Sequence, residues 1–363
     1  MRKTPLWLRR LVVGGVSAVT VGGVGFASLI GTAGAASATS TVTGTRLAGP
    51  NRFATAAAIA AETFPKGAAT VIVANGLSDH LPDSLAASYL AAQENGGAGA
   101  PILLVNTDSV PSETSAELTA LGAKNVVIVG GTAAVSTGVQ TTLAKSYTVT
   151  RVSGADRFAT ADAVDSQSGM TNVKTVNGKK YAIVADGVNG HLVDSLGSSP
   201  ISYAENFPVL LVNGPTGVLS SADLAILKAD GINDVLIIGG TAAVGTQVDT
   251  QLTTAGYTPL RPAEGVNRSQ TSELLADYAI ANFGFVNTHF NVASGSQAHL
   301  VDSLSGGPHS GSETAPTLIT DTVDNPGFVS DFATKNSATE SSFHKFGGTD
   351  AISDANEAAI IKA

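Results

Sequence analysis

The stretch Arg46-Leu-Ala-Gly-Pro-Asn-Arg52-Phe-Ala-Thr55 decides the fold, because the chain contains it three times. It returns as Arg151-Val-Ser-Gly-Ala-Asp-Arg157-Phe-Ala-Thr160 and, more loosely, as Arg261-Pro-Ala-Glu-Gly-Val-Asn-Arg268-Ser-Gln-Thr271. Each copy is termed an arginine turn below. Self-similarity at a fixed long period is the signature of tandem structural repeats.

Three further segments follow each arginine turn in the same order and at nearly constant spacing. They are His80-Leu-Pro-Asp83-Ser84-Leu85 with copies at 191–196 and 299–304, Pro101-Ile-Leu-Leu-Val105 with copies at 208–212 and 316–320, and Gly130-Gly131-Thr132-Ala-Ala-Val135 with copies at 239–244 and 347–352. The sequence therefore predicts three repeats, at residues 39–146, 147–256 and 257–363.

Within the first repeat, apolar runs alternate with helical patterns. The predicted order is helix Arg52–Thr63, strand Thr70–Ala74, helix Pro82–Glu94, strand Ile102–Val105, helix Ser112–Leu121, strand Asn125–Val129 and helix Ser136–Lys145, followed by extended chain at Tyr147–Val152. Strands joined by helical crossovers of this length form parallel sheets covered by helices. We expect an α/β fold built from three copies of one small unit.

The first 38 residues are typical of an export signal. Met1–Arg10 carries four basic residues and no acid, Leu11–Ile30 is apolar and rich in glycine, and Ala36-Ser37-Ala38 offers a cleavage site. A retained membrane anchor is the alternative interpretation, and Arg9-Arg10 fits twin-arginine export as well as general secretion. We expect a secreted protein that has no membrane span after cleavage.

Composition excludes several classes of function. Removing the four basic signal residues leaves 16 basic against 29 acidic residues, a net charge of −13, which disfavours binding to nucleic acid or to anionic lipid. The chain has no cysteine, so disulfides, thiol nucleophiles and cysteine-ligated metals are absent.

The arginines are the main candidates for ligand contact, because every arginine after residue 38 lies in an arginine turn. A guanidinium offers a planar pair of donors to a carboxylate or a phosphate, and helix N-termini favour anions. The candidate ligand-binding residues in the turns are Arg46, Arg52, Thr55, Arg151, Arg157, Thr160, Arg261, Arg268 and Thr271. The alternative is that the arginines pair with internal acids, such as the recurring Asp83, Asp194 and Asp302.

The glycine pairs Gly130-Gly131 and Gly239-Gly240 are further candidates, since a strand-to-helix turn can hold phosphate through backbone N–H groups. The alternative is that glycine permits a tight turn and close helix packing. Neither G-x-G-x-x-G nor a P-loop occurs, so we expect no cofactor.

The recurring His-x-x-Asp-Ser segment has the composition of a catalytic triad but not its geometry. His80, Asp83 and Ser84 lie within five residues of one another, and the chain has no G-x-S-x-G motif. A metal site built from one histidine per repeat is a second interpretation. We predict neither catalytic residues nor a metal ligand, and we interpret these side chains as hydrogen-bonding partners of the loop and helix start.

Taken together, the motifs resemble the cell wall-binding repeat type 2 family from Arg46 onward. The carriers are the R-x-x-G-x-(D/N)-R-(F/Y)-x-T turn, the Asp-Ser-Leu helix start, the Pro-(I/V)-Leu-Leu strand and the Gly-Gly pair before Ala-Val. Copy three departs most, with a longer turn, Ser269 in place of the aromatic residue and Thr317-Leu318-Ile319 in the strand. Ser84 and Ser195 stand where the family more often has alanine.

The resemblance implies an exported Gram-positive protein whose three repeats pack as a triangular module with pseudo-threefold symmetry. It also implies non-covalent attachment to an anionic secondary polymer of the cell wall, in which the strands Pro101–Val105 and Pro208–Val212 matter for binding. Such repeats anchor surface-layer proteins in clostridial relatives, so assembly with surface proteins is a further expectation.

We therefore expect a non-catalytic cell wall-binding protein whose partner is an anionic wall glycopolymer. Two alternatives stay open from the sequence. One is a secreted hydrolase that acts on wall material through the His-x-x-Asp-Ser turns. The other is a structural surface-coat protein whose arginines are all paired internally and which has no polysaccharide ligand.

Overall fold

The structure is a computed structural model that describes residues 42–77, 81, 86–167, 172–188 and 192–362, without the side chains of 193 and 194. The predicted export signal lies outside these residues, and so do the first two histidines of the recurring His-x-x-Asp-Ser segment, with Asp83 and Ser84. No helix in the described part of the chain is long and apolar enough to cross a membrane.

Strands occur in all three repeats and are numbered in chain order. They are β1 (Thr43–Leu47), β2 (Thr70–Asn75), β3 (Ile102–Val105), β4 (Asn125–Val129), β5 (Thr148–Val152), β6 (Thr175–Val176), β7 (Lys179–Asp186), β8 (Val209–Val212), β9 (Asp234–Ile238), β10 (Thr258–Ala263), β11 (His289–Ala293), β12 (Thr317–Ile319) and β13 (Ser342–Phe346).

Helices separate the strands. They are α1 (Arg52–Thr63), α2 (Ala87–Gln93), α3 (Ser112–Ala120), α4 (Thr137–Leu143), α5 (Arg157–Asp165), α6 (Leu192–Leu196), α7 (Ser199–Glu205), α8 (Ser221–Ala229), α9 (Gln247–Ala255), α10 (Arg268–Phe283), α11 (Leu300–Ser312), α12 (Phe328–Asn336) and α13 (Asp354–Ile361). The predicted strands and helices of the first repeat are confirmed, although α2 begins at Ala87 within the described residues.

The strands form three separate sheets with one shared topology. Their orders are β3-β2-β4-β5, β8-β7-β9-β10 and β12-β11-β13-β1, with every neighbouring pair parallel. The second sheet also carries the antiparallel strand β6 beside β7. The predicted α/β class with helix-covered parallel sheets is confirmed.

One edge strand of each sheet leads into the arginine turn of another repeat. The strand β5, which leads into the second turn, completes the first sheet, and β10 completes the second. The third sheet is completed by β1, so that Leu47 lies opposite Phe346. The sheets are thus offset by one strand from the predicted repeat boundaries, and the chain closes on itself.

Three helices, one from each repeat, meet at the centre of the molecule. Ser88 on α2, Ser199 on α7 and Gly307 on α11 stand at equivalent positions, five residues after the recurring aspartate. A Cβ atom added at Gly307 would lie 2.6 Å from Ser88 Oγ and 2.9 Å from Ser199 Cβ. The small side chains let the three helices approach closely around a pseudo-threefold axis, and one apolar cluster runs through all three units.

Candidate functional site

Each arginine turn ends in a capped helix. Asn51 Oδ1 accepts the amides of Phe53 and Ala54 at 3.0 and 2.9 Å and so caps α1. Asp156 and Asn267 cap α5 and α10 in the same way. An asparagine or aspartate at this position is a strong signal for the start of a helix. None of these three capping residues was among the predicted site residues.

The second arginine of each turn is the first residue of its helix. No acidic residue accompanies Arg52, Arg157 or Arg268 in the first helical turn. A cation at a helix N-terminus is unfavourable with respect to the helix dipole. Each of these helix starts thus carries a guanidinium group, although acidic side chains such as Asp156, Asp302 and Asp321 lie near them.

These second arginines reach the carboxyl ends of the central strands. Arg52 Nη1 donates to Gly76 O at 2.6 Å, and Arg157 Nη1 donates to Gly187 O at 2.9 Å. Arg268 Nη1 donates to Gly295 O in the third unit. All three arginines are half-buried, at the place where each helix meets its sheet.

The first arginine of each turn fixes the edge strand to the neighbouring glycine pair. Arg46 Nη1 donates to Gly347 O and Gly348 O, both at 3.0 Å. Arg151 Nη1 donates to Gly130 O at 2.7 Å, and Arg261 Nη1 to Gly239 O at 3.4 Å. These arginines therefore join the end of one repeat to the beginning of the next.

Acidic and amide side chains also engage the first arginines. Arg261 forms a fork-like pair with Asp249, with Nη2 at 2.6 Å from Oδ2 and Nε at 3.0 Å from Oδ1. Arg46 Nη2 lies 3.3 Å from Asp354 Oδ1. Arg151 Nε donates to Gln140. Among the described residues, the acids that pair with these arginines are thus not the recurring aspartates of the sequence analysis.

The predicted glycine pairs form tight strand-to-helix turns. Gly130 and Gly239 have φ values of +110° and +89°, which favour glycine. Gly131 O accepts the amide of Val135 at 2.9 Å, and Gly240 O accepts that of Val244 at 3.0 Å. The glycine carbonyls are thus engaged within the turn and, at Gly130 and Gly239, by the first arginines.

The threonines of the arginine turns are buried and brace them. Thr55 Oγ1 accepts the Gly49 amide at 3.2 Å, and Thr160 Oγ1 accepts the Gly154 amide at 3.1 Å. Thr271 Oγ1 instead donates to Asn267 O at 3.1 Å, because the third turn is one residue longer. These hydroxyls therefore set the shape of the turn from within.

A groove of about 180 Å³ lies between the first arginine turn and the third repeat. Its lining combines three of the four recurring motifs: Gly49, Pro50, Asn51, Arg52 and Thr55 from the turn, Ala298, His299, Val301 and Asp302 from the start of α11, and Gly348 and Asp350 from the glycine pair. Arg52 Nη2 also donates to Ala298 O at 3.4 Å, across the junction between repeats. A second groove contains Arg268 with Asn267, Gly295 and Asp321.

Asp302 is the buried acid of the first groove. Its side chain is 4 % exposed, and Oδ1 has no hydrogen-bond partner among the described residues. Burial raises the pKa of Asp302 to about 7; Arg52 lowers it and Asp350 raises it further. Near neutral pH this carboxyl group therefore changes its charge beside Arg52.

The third copy of the His-x-x-Asp-Ser segment lacks the contacts of a nucleophile. Ser303 is 1 % exposed, and its Oγ has no hydrogen-bond partner in the described part of the chain. His299 therefore does not activate it.

The family description Cell wall binding domain 2 (CWB2) matches residues 46–140, 151–249 and 263–357. The chain belongs to the CWB2 family. The resemblance inferred from the motifs and the triplication are confirmed, and the family is one of cell wall-binding domains.

Two curated relatives and two solved structures resemble this CWB2 chain. N-acetylmuramoyl-L-alanine amidase LytC of Bacillus subtilis (strain 168) is 30 % identical over 57 % of this chain and 38 % of its own length. The amidase enhancer of the same organism is 28 % identical over 57 % of this chain and 26 % of its own. The CWB2 chain thus spans well under half of either relative.

Cwp6 from Clostridium difficile superposes with a TM-score of 0.72 at 24 % identity, over 88 % of this chain and 48 % of that one. Cwp8 from the same organism also gives 0.72, at 26 % identity, over 88 % of this chain and 51 % of that one. The fold of the CWB2 chain is therefore the fold found in these proteins, and the predicted arrangement of three repeats is confirmed.

Proposed function

We propose that this CWB2 protein attaches non-covalently and without catalysis to an anionic cell-wall glycopolymer through its second arginines. The observation that carries the proposal is the groove in which Arg52 and the N-terminus of α1 face the third repeat. A guanidinium and a helix N-terminus both favour an anionic group, such as a phosphate or a carboxylate.

The first arginines and the buried threonines have a different part in this proposal. Arg46, Arg151 and Arg261 hold the glycine pairs, and the threonines brace the turns. In this proposal the contact set consists of Arg52, Arg157 and Arg268. The first arginines and the threonines form a supporting set, which gives the contact set its position. The glycine pairs Gly130-Gly131 and Gly239-Gly240 belong to the supporting set.

Three weak sites on one rigid body gain affinity for a repetitive polymer, because the second contact is intramolecular. Each contact is electrostatic and partly exposed, so binding weakens as salt rises. We also propose that this protein is exported to the cell wall, because the family that it belongs to is described as a cell wall-binding domain.

The test is sedimentation of the purified protein with isolated Gram-positive cell walls. One wall sample is intact, and the other is acid-extracted to remove its anionic polymers. We expect binding to the intact walls that falls with salt, and loss of binding to the extracted walls. Equal binding to both samples would contradict the choice of ligand.

A matched pair of triple variants tests the contact set. R52Q/R157Q/R268Q removes three charges from the turns, whereas K66Q/K145Q/K362Q removes three from exposed positions elsewhere. We expect the arginine variant alone to lose wall binding. Arginine-to-lysine versions, which keep the charge, control for folding through their melting temperature. Equal losses in both glutamine variants would mean that net charge, rather than the turns, drives binding.

The non-catalytic part of the proposal has its own test. Walls incubated with the protein are assayed for soluble fragments, free amino groups and reducing ends. We expect none above a heat-denatured control. Release that disappears in His80→Ala would overturn this part and support the hydrolase.

A further inference from the structure

The three histidines outside the recurring motif all lie in the third repeat, where they meet at one carboxylate. His289 begins β11, His309 stands in the last turn of α11, and His344 lies on β13. Their ring nitrogens surround Oε2 of Glu313, which caps α11, at distances of 3.6, 3.4 and 3.9 Å respectively. Three separate elements of the fold therefore converge on one oxygen atom.

The spacing of the donor atoms suits a shared metal ion. His309 Nε2 lies 3.1 Å from His344 Nδ1 and 3.4 Å from Glu313 Oε2, and the third side of the triangle is 3.9 Å. In tetrahedral zinc sites with bond lengths of about 2.0–2.2 Å, neighbouring ligand atoms are separated by roughly 3.3–3.5 Å. The triangle closes around one such ion with small side-chain movements.

Hydrogen bonding fixes which nitrogen of His309 faces the cluster. The Thr63 hydroxyl donates its one proton to Ile59 O at 2.6 Å, so it accepts from His309 Nδ1–H at 2.9 Å. The neutral ring then carries no proton on Nε2, and this lone pair points toward the cluster. Metal-bound histidines are oriented by such a partner on the opposite nitrogen.

The cluster has more acceptors than protons to satisfy them. Nε2 of His309 is an acceptor, and Glu313 Oε2 is buried without a hydrogen-bond partner in the described part of the chain. The single Nδ1–H that His344 can supply reaches only one of the two, and His289 Nε2 lies 3.6 Å from Glu313 Oε2, beyond hydrogen-bond distance. A cation between the three groups would satisfy all of them at once.

The other repeats show that the histidines, and not the acid, distinguish the third unit. Glu313 lies eleven residues after Asp302, and Glu94 and Glu205 stand at the same spacing in the first and second repeats. By the same alignment, the places of His309 and His344 are taken by the core residues Leu90 and Val127 in the first repeat. The fold therefore does not require imidazole at these positions.

We propose that His309, Glu313 and His344 bind one divalent transition-metal ion of the Zn²⁺ class. Two imidazoles and a carboxylate favour such an ion over Mg²⁺ or Ca²⁺, which prefer all-oxygen sites. The side chains of Glu313 and His344 are 30 % and 25 % exposed, which leaves an entry path and a coordination position for water. Through Thr63 the site also joins the end of α1 to the third repeat.

The test is metal binding by the purified chain, prepared without a polyhistidine tag and stripped with chelator. Zn²⁺ titration is followed by calorimetry and by melting temperature, and Co²⁺ is used as a visible probe of coordination. We expect one Zn²⁺ per chain, a higher melting temperature, and Co²⁺ absorption typical of mixed nitrogen and oxygen ligands. Mg²⁺ should leave the melting temperature unchanged.

Variants separate this site from adventitious binding. H309L and H344V introduce the residues of the first repeat and so preserve packing, and we expect each to abolish the stoichiometric Zn²⁺ site. H299Q removes a histidine outside the cluster and should bind Zn²⁺ as the native chain does. The proposal is overturned by absence of stoichiometric Zn²⁺ binding in the native chain, or by equal binding in H309L, H344V and H299Q.

Discussion

Asp302→Asn tests the electrostatics of the first groove. The carboxyl group of Asp302 is buried, and burial raises its pKa from 3.8 to about 7. Below pH 4 the group is protonated in both the folded and the unfolded chain. As pH rises from 4 to 7, the unfolded chain releases this proton while the folded chain keeps it. The stability that the protonated group contributes is therefore lost across that range.

The magnitude follows from the size of the pKa difference. Each pKa unit corresponds to about 1.4 kcal/mol, so a rise of roughly three units changes the free energy of unfolding by about 4 kcal/mol. Asparagine has nearly the same shape and does not titrate. The difference in stability between the native chain and D302N should thus move by about 4 kcal/mol in favour of the variant between pH 4 and pH 8.

The assay is urea unfolding of both proteins at several pH values between 4 and 8. D350N is the matched control, because Asp350 lines the same groove but is exposed. We expect D350N to keep most of the pH dependence of the native chain, because Asp302 remains in its buried position. If the stability difference between D302N and the native chain is constant within about 1 kcal/mol, Asp302 is hydrated in solution and the reasoning is refuted.

Further predictions address the joins between repeats, the packing at the central axis and the pH dependence of wall binding. Arg261→Ala leaves Asp249 and a set of carbonyls without their partner and should reduce the free energy of unfolding by roughly 2–4 kcal/mol, measured with urea. Gly307→Val overpacks the central axis and should cost about 1–3 kcal/mol, while Gly240→Ala, which meets nothing within 4 Å, should be neutral by the same assay. Arg46→Ala should speed amide hydrogen exchange in β13 but not in β4, since only the third sheet loses its arginine contact. Wall binding through Arg52 should weaken as pH rises through 7 and Asp302 ionises, and D302N should remove this dependence in a sedimentation assay.

Local pattern was sufficient to predict the secondary structure of the first repeat. The runs Thr70–Ala74 and Ile102–Val105 are continuously apolar or β-branched, and both strands are buried along their whole length. The helix Arg52–Thr63 was predicted to its last residue from its helical pattern, and the structure adds the capping residue Asn51 that precedes it.

Partners distant in sequence were not predictable in the same way. The strand Thr43–Leu47 was not among the predicted elements, and the backbone groups that a strand offers for pairing are the same whichever strand becomes its neighbour. The pairing of β1 with β13 depends on closure of the whole chain around the central helices. The histidine cluster was missed for the same reason, since His289, His309 and His344 lie far apart in sequence and meet only after the third sheet forms.

The two arginines of a turn carry the same guanidinium group but have different roles, because they lie in different elements of the fold. Arg46 and Arg52 are six residues apart, but the first lies in a strand of the third sheet and the second begins the first helix of the next unit. Each turn therefore belongs to two units, and the groove beside Arg52 exists only when β1 has closed the third sheet. A polymer bound there stabilises the closed chain by mass action, by about 2.7 kcal/mol at one hundred times its dissociation constant. Conversely, a change that loosens the β1 pairing weakens polymer binding in proportion to the fraction of chains in which the third sheet is open, even when Arg52 itself is untouched.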